Sequence, residues 1–247
     1  MRNDLHVPRA TRISSIDTNP RMSPSRMMTT SGDQLTVADR FAKYATVVTE
    51  AYQLHLAEQD PIEARSSWVR LIPDNKSGRV PLSGYDWEVG EVHQVPFDPS
   101  VVDLADSARR HAILDWLQDS LLSLAASLHW PTAPLVAAYN ACLANGVQLV
   151  AAGPAKSSPD RRHRAHVAFE IDGNGDGWSW LIVDSPGGRE QSERVDAPPA
   201  LRAARRSFKS VRWEDSSVVS FQSWITDYTP FGREDWASRR ESFTISP

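Results

Sequence analysis

From Asp106 to His129, Ile113, Leu114, Leu117, Leu121, Leu124, Ala125 and Leu128 recur at three- and four-residue spacing. That spacing lays them in one wide stripe, so the segment is predicted to be an amphipathic helix with a face it must bury. Asp103 or Asp106 is expected to cap its start. Trp130-Pro131-Thr132 breaks the run, and Thr132 is expected to cap a second helix that carries Leu135, Val136, Tyr139, Cys142 and Leu143. Asn145-Gly146 is a C-cap pair. The two helices read as an antiparallel helical hairpin.

What surrounds this hairpin decides the fold class. Ahead of it, Phe41, Tyr44, Val48, Tyr52 and His55 mark a helix from Val37 to Glu58, closed by Asp60-Pro61. Two strands follow, Ser66 to Ile72 and Trp87 to Val95, separated by a turn cluster from Pro73 to Gly78. Behind it the pattern is mostly β. Val147 to Ala151 is a short strand, Gly153 to Asp160 a polar loop, and Arg164 to Ile171 with Trp178 to Asp184 a hairpin. A helix from Pro198 to Ser210 and a strand from Val218 to Trp224 complete it. Strands and helices do not alternate as a doubly wound sheet requires, so the expectation is α+β with a mainly antiparallel sheet and a central helical hairpin.

Residues 1–33 contain Pro8, Pro20 and Pro24 among Ser, Thr, Asn and Arg, with no sustained period. They are expected to be a disordered tail outside the fold. The organisation that follows is the tail over 1–33, a helix and β-hairpin region over 34–99, and the helical hairpin with the C-terminal α+β region over 100–247. The last two are compatible with a single domain.

Net charge is −4 with a pI near 6.0, so the whole molecule is not built to coat nucleic acid or an anionic membrane. No stretch approaches the ~20 apolar residues of a membrane span, and no apolar run follows the N-terminal arginines as in a secretory signal. A cytoplasmic location is expected by elimination. Arginine outnumbers lysine 23 to 4, which points to a GC-rich bacterial genome. Cys142, the one cysteine, excludes an intrachain disulfide and reads as a small buried hydrophobe.

Each candidate site competes with an ordinary structural reading. Asp172, Asn174, Asp176 and Gly177 match the first half of an EF-hand loop, but Val183 stands where the bidentate glutamate is needed. A tight hairpin turn explains the same residues, so no metal or cofactor is expected. Gly153-Pro154-Ala155-Lys156-Ser157 lacks the first glycine of a phosphate loop and reads as a solvated loop. Trp178 and Trp180 share a strand face, as a core anchor or a stacking platform would.

The densest positive cluster is Arg161, Arg162, His163 and Arg164, with His166 beyond it. A strand would put His163 on one face and Arg162, Arg164 and His166 on the other, too far apart to chelate one metal. Its ordinary reading is a sheet edge guarded by charge. Arg202, Arg205, Arg206 and Lys209 form a second cluster on the polar side of the C-terminal helix, with no acid between Ala197 and Trp213. Serine elbows, zincin motifs, complete Walker loops and dinucleotide fingerprints are absent. The expectation is therefore a non-catalytic binding or regulatory protein, an adaptor or immunity-type inhibitor. It would engage another macromolecule, a protein ahead of nucleic acid, through Arg161, Arg162, His163, Arg164, His166, Arg202, Arg205, Arg206 and Lys209. The alternative is a hydrolase with a non-local site of Asp, His and Arg residues.

Overall fold

Thr36 opens the first helix, α1 (Val37–Leu56), through a reciprocal cap in which its hydroxyl accepts from the Asp39 N–H and the Asp39 carboxylate accepts from its own. The computed structural model describes residues 11–18, 36–74, 83–86, 90–228 and 234–245. The fold is α+β, and the chain parts into two units after Val147. In this division the helical hairpin falls in the same unit as α1.

The first unit begins with two short strands, β1 (Thr11–Arg12) and β2 (Ser15–Asp17). After α1 come β3 (Glu63–Ala64), β4 (Trp68–Asp74), β5 (Ser83–Asp86) and β6 (Gly90–Pro96). β1 pairs with β3, and the remaining four form a sheet in the order β2-β4-β6-β5. β2, β4 and β6 run parallel and only β5 is antiparallel. The expected hairpin of the two long strands is therefore corrected. β6 returns between β4 and β5, so its hairpin partner is β5, and Trp87 to Val89 of the expected strand lie outside the described residues.

Part of the expected tail also proves structural. Ile16 of β2 is buried, and Asp17 accepts two hydrogen bonds of 2.7 Å from Arg70. A three-residue strand is too short to show a period, but it needs only one buried side chain and one ion pair to be held. Residues 1–10 and 19–33 lie outside the described ones.

α1 buries more than one stripe: Phe41, Ala45, Val47, Val48, Ala51 and Tyr52 are all enclosed. It packs against β2 and β4 on one side and against α2 (Asp106–Leu128) and α3 (Ala133–Ala144) on the other. A 3-10 turn over Pro99–Asp103 leads into α2. The Tyr52 hydroxyl ties the three helices together, 2.7 Å from Gln118 Oε1 and 2.8 Å from the Leu135 carbonyl. Cys142 is buried in α3, and burial pushes its thiol up to about 12, so it is inert at neutral pH.

Thr132 is the N-cap of α3 as expected, but neither α2 nor α3 has a side-chain cap hydrogen bond. Ala105 is the N-cap of α2, Asp106 is turned to Arg109 and Arg110, and Asp103 is turned to Arg40. Thr132 starts α3 without a side-chain cap. At α2 the candidate carboxylates are taken by arginines, whose charged hydrogen bonds are stronger than those of an N–H, and at α3 Pro134 leaves one N–H fewer to satisfy.

The second unit carries β7 (Leu149–Ala152), β8 (Lys156–Ser157), β9 (Arg164–Ile171), β10 (Gly177–Ser185), β11 (Gly188–Gln191) and β12 (Val195–Ala197). They form one antiparallel sheet in the order β11-β10-β9-β7, with β12 also on β10 and β8 also on β9. The expected β9–β10 hairpin is present. α4 (Leu201–Ser210) follows, then a second sheet of β13 (Arg212–Trp213), β14 (Val218–Tyr228) and β15 (Glu234–Thr244). β15, with Trp236, Ala237 and Phe243 set among charges and serines, has no apolar period to read. Gly153 lets α4 sit close to the sheet, because a Cβ there would lie 2.6 Å from that of Phe208.

Candidate basic binding face

α4 divides its sides cleanly. Leu201, Ala204 and Phe208 are buried, while Arg202, Arg205, Arg206 and Lys209 are exposed. Arg206 lies over the ring of Trp224, 5.6 Å from its centroid, so part of its charge is spent within the fold. The end of α4 is held by a residue far off in sequence. The Lys156 ammonium donates to the carbonyls of Lys209 and Val211 at 3.1 and 2.7 Å, placing a cation where the helix dipole is negative. Trp213 Nε1 in turn donates to the Lys156 carbonyl. Lys156 is thus a structural clamp rather than a residue of a solvated loop, and nothing local in the sequence marks it.

β8 carries Lys156 and pairs with the start of β9, Ser157 opposite Arg164. The loop between them holds the other cluster. Its turn closes through Ser158, whose N–H donates to the His163 carbonyl and whose hydroxyl accepts from the His163 N–H. Asp160 accepts from the Ser158 hydroxyl and the Arg162 N–H, which holds its carboxyl below the usual range. Arg161 takes a positive φ of 62°, a conformation that costs a residue with a Cβ about 1–2 kcal/mol. Lys156 therefore joins the two clusters at the Lys209 end of α4. Arg202 stands farther along the helix, about 10 Å away by the rise per residue.

Arg161, Arg162 and Arg164 are exposed, but the two histidines do not share that role. His163 is half-buried, with Nδ1 2.7 Å from the Ser185 hydroxyl and its ring 6.2 Å from that of Trp213. His166 is half-buried opposite Ile182, and burial lowers its pKa despite the nearby Asp184, so it is neutral at pH 7. Both serve the sheet. The reading of the cluster as a guarded edge is also corrected: β9 lies inside the sheet, with β10 on one side and β7 and β8 on the other. Edge protection therefore does not account for Arg164.

The electrostatics single these cations out. In the same unit Arg189, Arg194, Arg212, Arg239 and Arg240 each reach a carboxylate. Among the described residues, the side chains of Arg161, Arg162, Arg164, Arg202, Arg205 and Lys209 take part in no ion pair or hydrogen bond.

The other candidates are absorbed by the fold. The Asp172 carboxylate accepts from the N–H groups of Asn174 and Asp176 and from Trp178 Nε1, and Gly175 supplies the positive φ of the turn. Its oxygens are engaged in holding the hairpin. Trp180 is buried beneath the Arg194 guanidinium, so no paired stacking platform exists with Trp178. His163 and Ser185 resemble half of a nucleophile pair, but among the described residues no carboxylate bonds the ring of His163. A cleft of about 210 Å³ in this unit is lined by Arg194, Val195, Asp196, Ser223, Arg239 and Glu241 and contains no histidine. In the first unit, His93 lies 3.6 Å from Glu91, both buried in the sheet, where burial lowers the histidine and raises the carboxylate.

Comparison of the chain with protein families, with curated proteins and with solved structures finds no match. The candidate site therefore stands on its own geometry.

Proposed function

We propose that this protein is a non-catalytic binding or regulatory protein that engages an acidic protein surface through Arg161, Arg162, Arg164, Arg202, Arg205 and Lys209. The observation that carries this reading is the set of exposed cations that make no ion pair among the described residues, in a unit where Arg189, Arg194, Arg212, Arg239 and Arg240 each reach a carboxylate. A cation held in water by a strained loop and a clamped helix does little for stability. It is available to a partner, and a field of like charges speeds encounter and selects against basic surfaces. His163 and His166 act as supports.

The test is binding to a poly-glutamate peptide and to a DNA duplex of equal length across a salt series. The wild type is expected to prefer the peptide, with affinity falling as salt rises. Arg202→Glu with Arg205→Glu is expected to weaken peptide binding about tenfold or more and to flatten the salt dependence. Tighter DNA binding would make nucleic acid the partner. Equal peptide binding by both proteins at every salt concentration would refute the basic face.

A further inference from the structure

β15 runs for 11 residues and pairs with β14 without a bulge, from Val218 opposite Thr244 to Tyr228 opposite Glu234. Among the described residues its other edge pairs with nothing, whereas the strands at the other sheet margins have two to four residues. A long open edge presents a row of backbone donors and acceptors to another strand. The usual defences are a short strand, a proline, a lysine or a bulge, and β15 has none of them. It has charges, but of both signs and in mirror order: Ser238, Arg239, Arg240, Glu241, Ser242.

We propose that β15 pairs antiparallel with β15 of a second copy of this chain, with Arg240 on the two-fold axis. That register sets each Arg239 opposite Glu241 of the other copy, and each Ser238 opposite Ser242. A two-fold axis makes both contacts occur twice. The like charges on the axis are quenched from within, since Arg240 donates to the Ser220 hydroxyl at 2.9 Å and has Glu214 4.0 Å away on its own chain. The cleft of about 210 Å³ is lined by Arg239 and Glu241 of this strand together with Ser223, Arg194 and Asp196, and within one chain Arg239 pairs with Glu241 at 3.0 Å, a pair the dimer would exchange for its equivalent across the axis. The cleft would receive the Arg239 guanidinium of the second copy, which is 71% exposed in the single chain. Strand addition supplies the affinity, and the crossed ion pairs supply the register. The pairing is independent of the basic face.

Sedimentation velocity over a concentration series tests it. The wild type is expected to show a reversible dimer. Arg239→Glu or Glu241→Arg alone places like charges opposite each other and is expected to weaken dimerisation about tenfold or more. An equimolar mixture of the two variants is expected to dimerise again, because each supplies what the other lacks; a purely internal role for either residue would give no such rescue. A second variant covers the case of misfolding: Arg240→Cys is expected to form a disulfide-linked dimer under mild oxidation, and Ser127→Cys is not. A wild type that stays monomeric, or variants whose mixture does not recover, would overturn the pairing.

Discussion

Arginine serves two purposes in the two units. In the first, Arg40, Arg70, Arg109 and Arg110 each meet a carboxylate, and the last three are nearly enclosed. Arg109 also covers the ring of Tyr44 at 3.9 Å, and Arg110 donates to the carbonyl of Val147, itself held at a positive φ of 53°. These guanidiniums hold the fold. In the second unit Arg189, Arg194, Arg212, Arg239 and Arg240 also meet carboxylates, but Arg202 and Arg205 of α4 and Arg161 and Arg162 of the β8–β9 loop stand in water with no ion pair among the described residues. A charge that is desolvated must be paired to be tolerated. A charge kept solvated needs no internal partner, so leaving it bare costs the fold almost nothing.

The sharpest way to break this contrast is to remove one arginine from each side. Arg70→Met leaves the Asp17 carboxylate in a half-buried site and loosens β2, so a loss of about 2–4 kcal/mol is expected in urea denaturation. Arg202→Ala with Arg205→Ala is expected to stay within about 0.5 kcal/mol of wild type. Equal losses would end the distinction. Deleting residues 1–17 is expected to resemble Arg70→Met, since Ile16 leaves with Asp17.

Asp172→Ala comes next, with an expected loss of about 1–2 kcal/mol, because three donors lose their acceptor at once. Millimolar calcium is expected to leave the midpoint of either protein unchanged in a thermal melt, as suits a turn rather than a cation loop.

Acid sharpens the comparison through the buried pair of the first unit. His93 has its folded pKa below its ordinary 6.5, so the unfolded chain takes the proton first. Its contribution to stability is complete above about pH 6.5 and is lost as pH falls through the folded value. Glu91 works in the opposite sense: its folded pKa is raised, so its contribution is present below 4.5 and lost as pH rises. Denaturation from pH 4 to 8 should therefore show less acid loss in His93→Gln and a gain at neutral pH in Glu91→Gln. Unchanged profiles would show that the pair is not desolvated.

The smallest effect expected has the opposite sign. Arg161→Gly releases the positive φ and should stabilise the second unit by about 0.5–1 kcal/mol while weakening binding to the acidic peptide. A gain in stability with no change in binding would mean that the loop is not strained for the sake of its side chain.

Local pattern carried much of this in legible form. The stripe of α2 and the amphipathic α4 could be read because each buries one face of a regular element, the phase of α1 because its apolar residues keep helical spacing, and the β9–β10 hairpin because its turn residues are local. β2 and β15 could not. One is a three-residue strand and the other a polar ribbon, and neither has an apolar period. The capping residues of α2 misled for two reasons: the partner of Asp103, Arg40, is brought in by the fold, while Asp106 lies inside the helix and pairs with its own i+3 and i+4 neighbours Arg109 and Arg110.

The sequence by itself determined that the chain is α+β, that Cys142 is an inert core residue, and that positive charge gathers in two segments of the C-terminal half. These follow from composition and short-range spacing, where chain connectivity already dictates which side chains share a surface. Tertiary structure alone decided that β4 and β6 run parallel, that Lys156 clamps α4 beside the β8–β9 loop, and which arginines are paired. The strand direction and the clamp depend on contacts distant in sequence, Val69 with Glu91 and Lys156 with Lys209 and Val211, and loop closure lets many chain paths bring such residues together at similar entropic cost. Only the packed core selects among them.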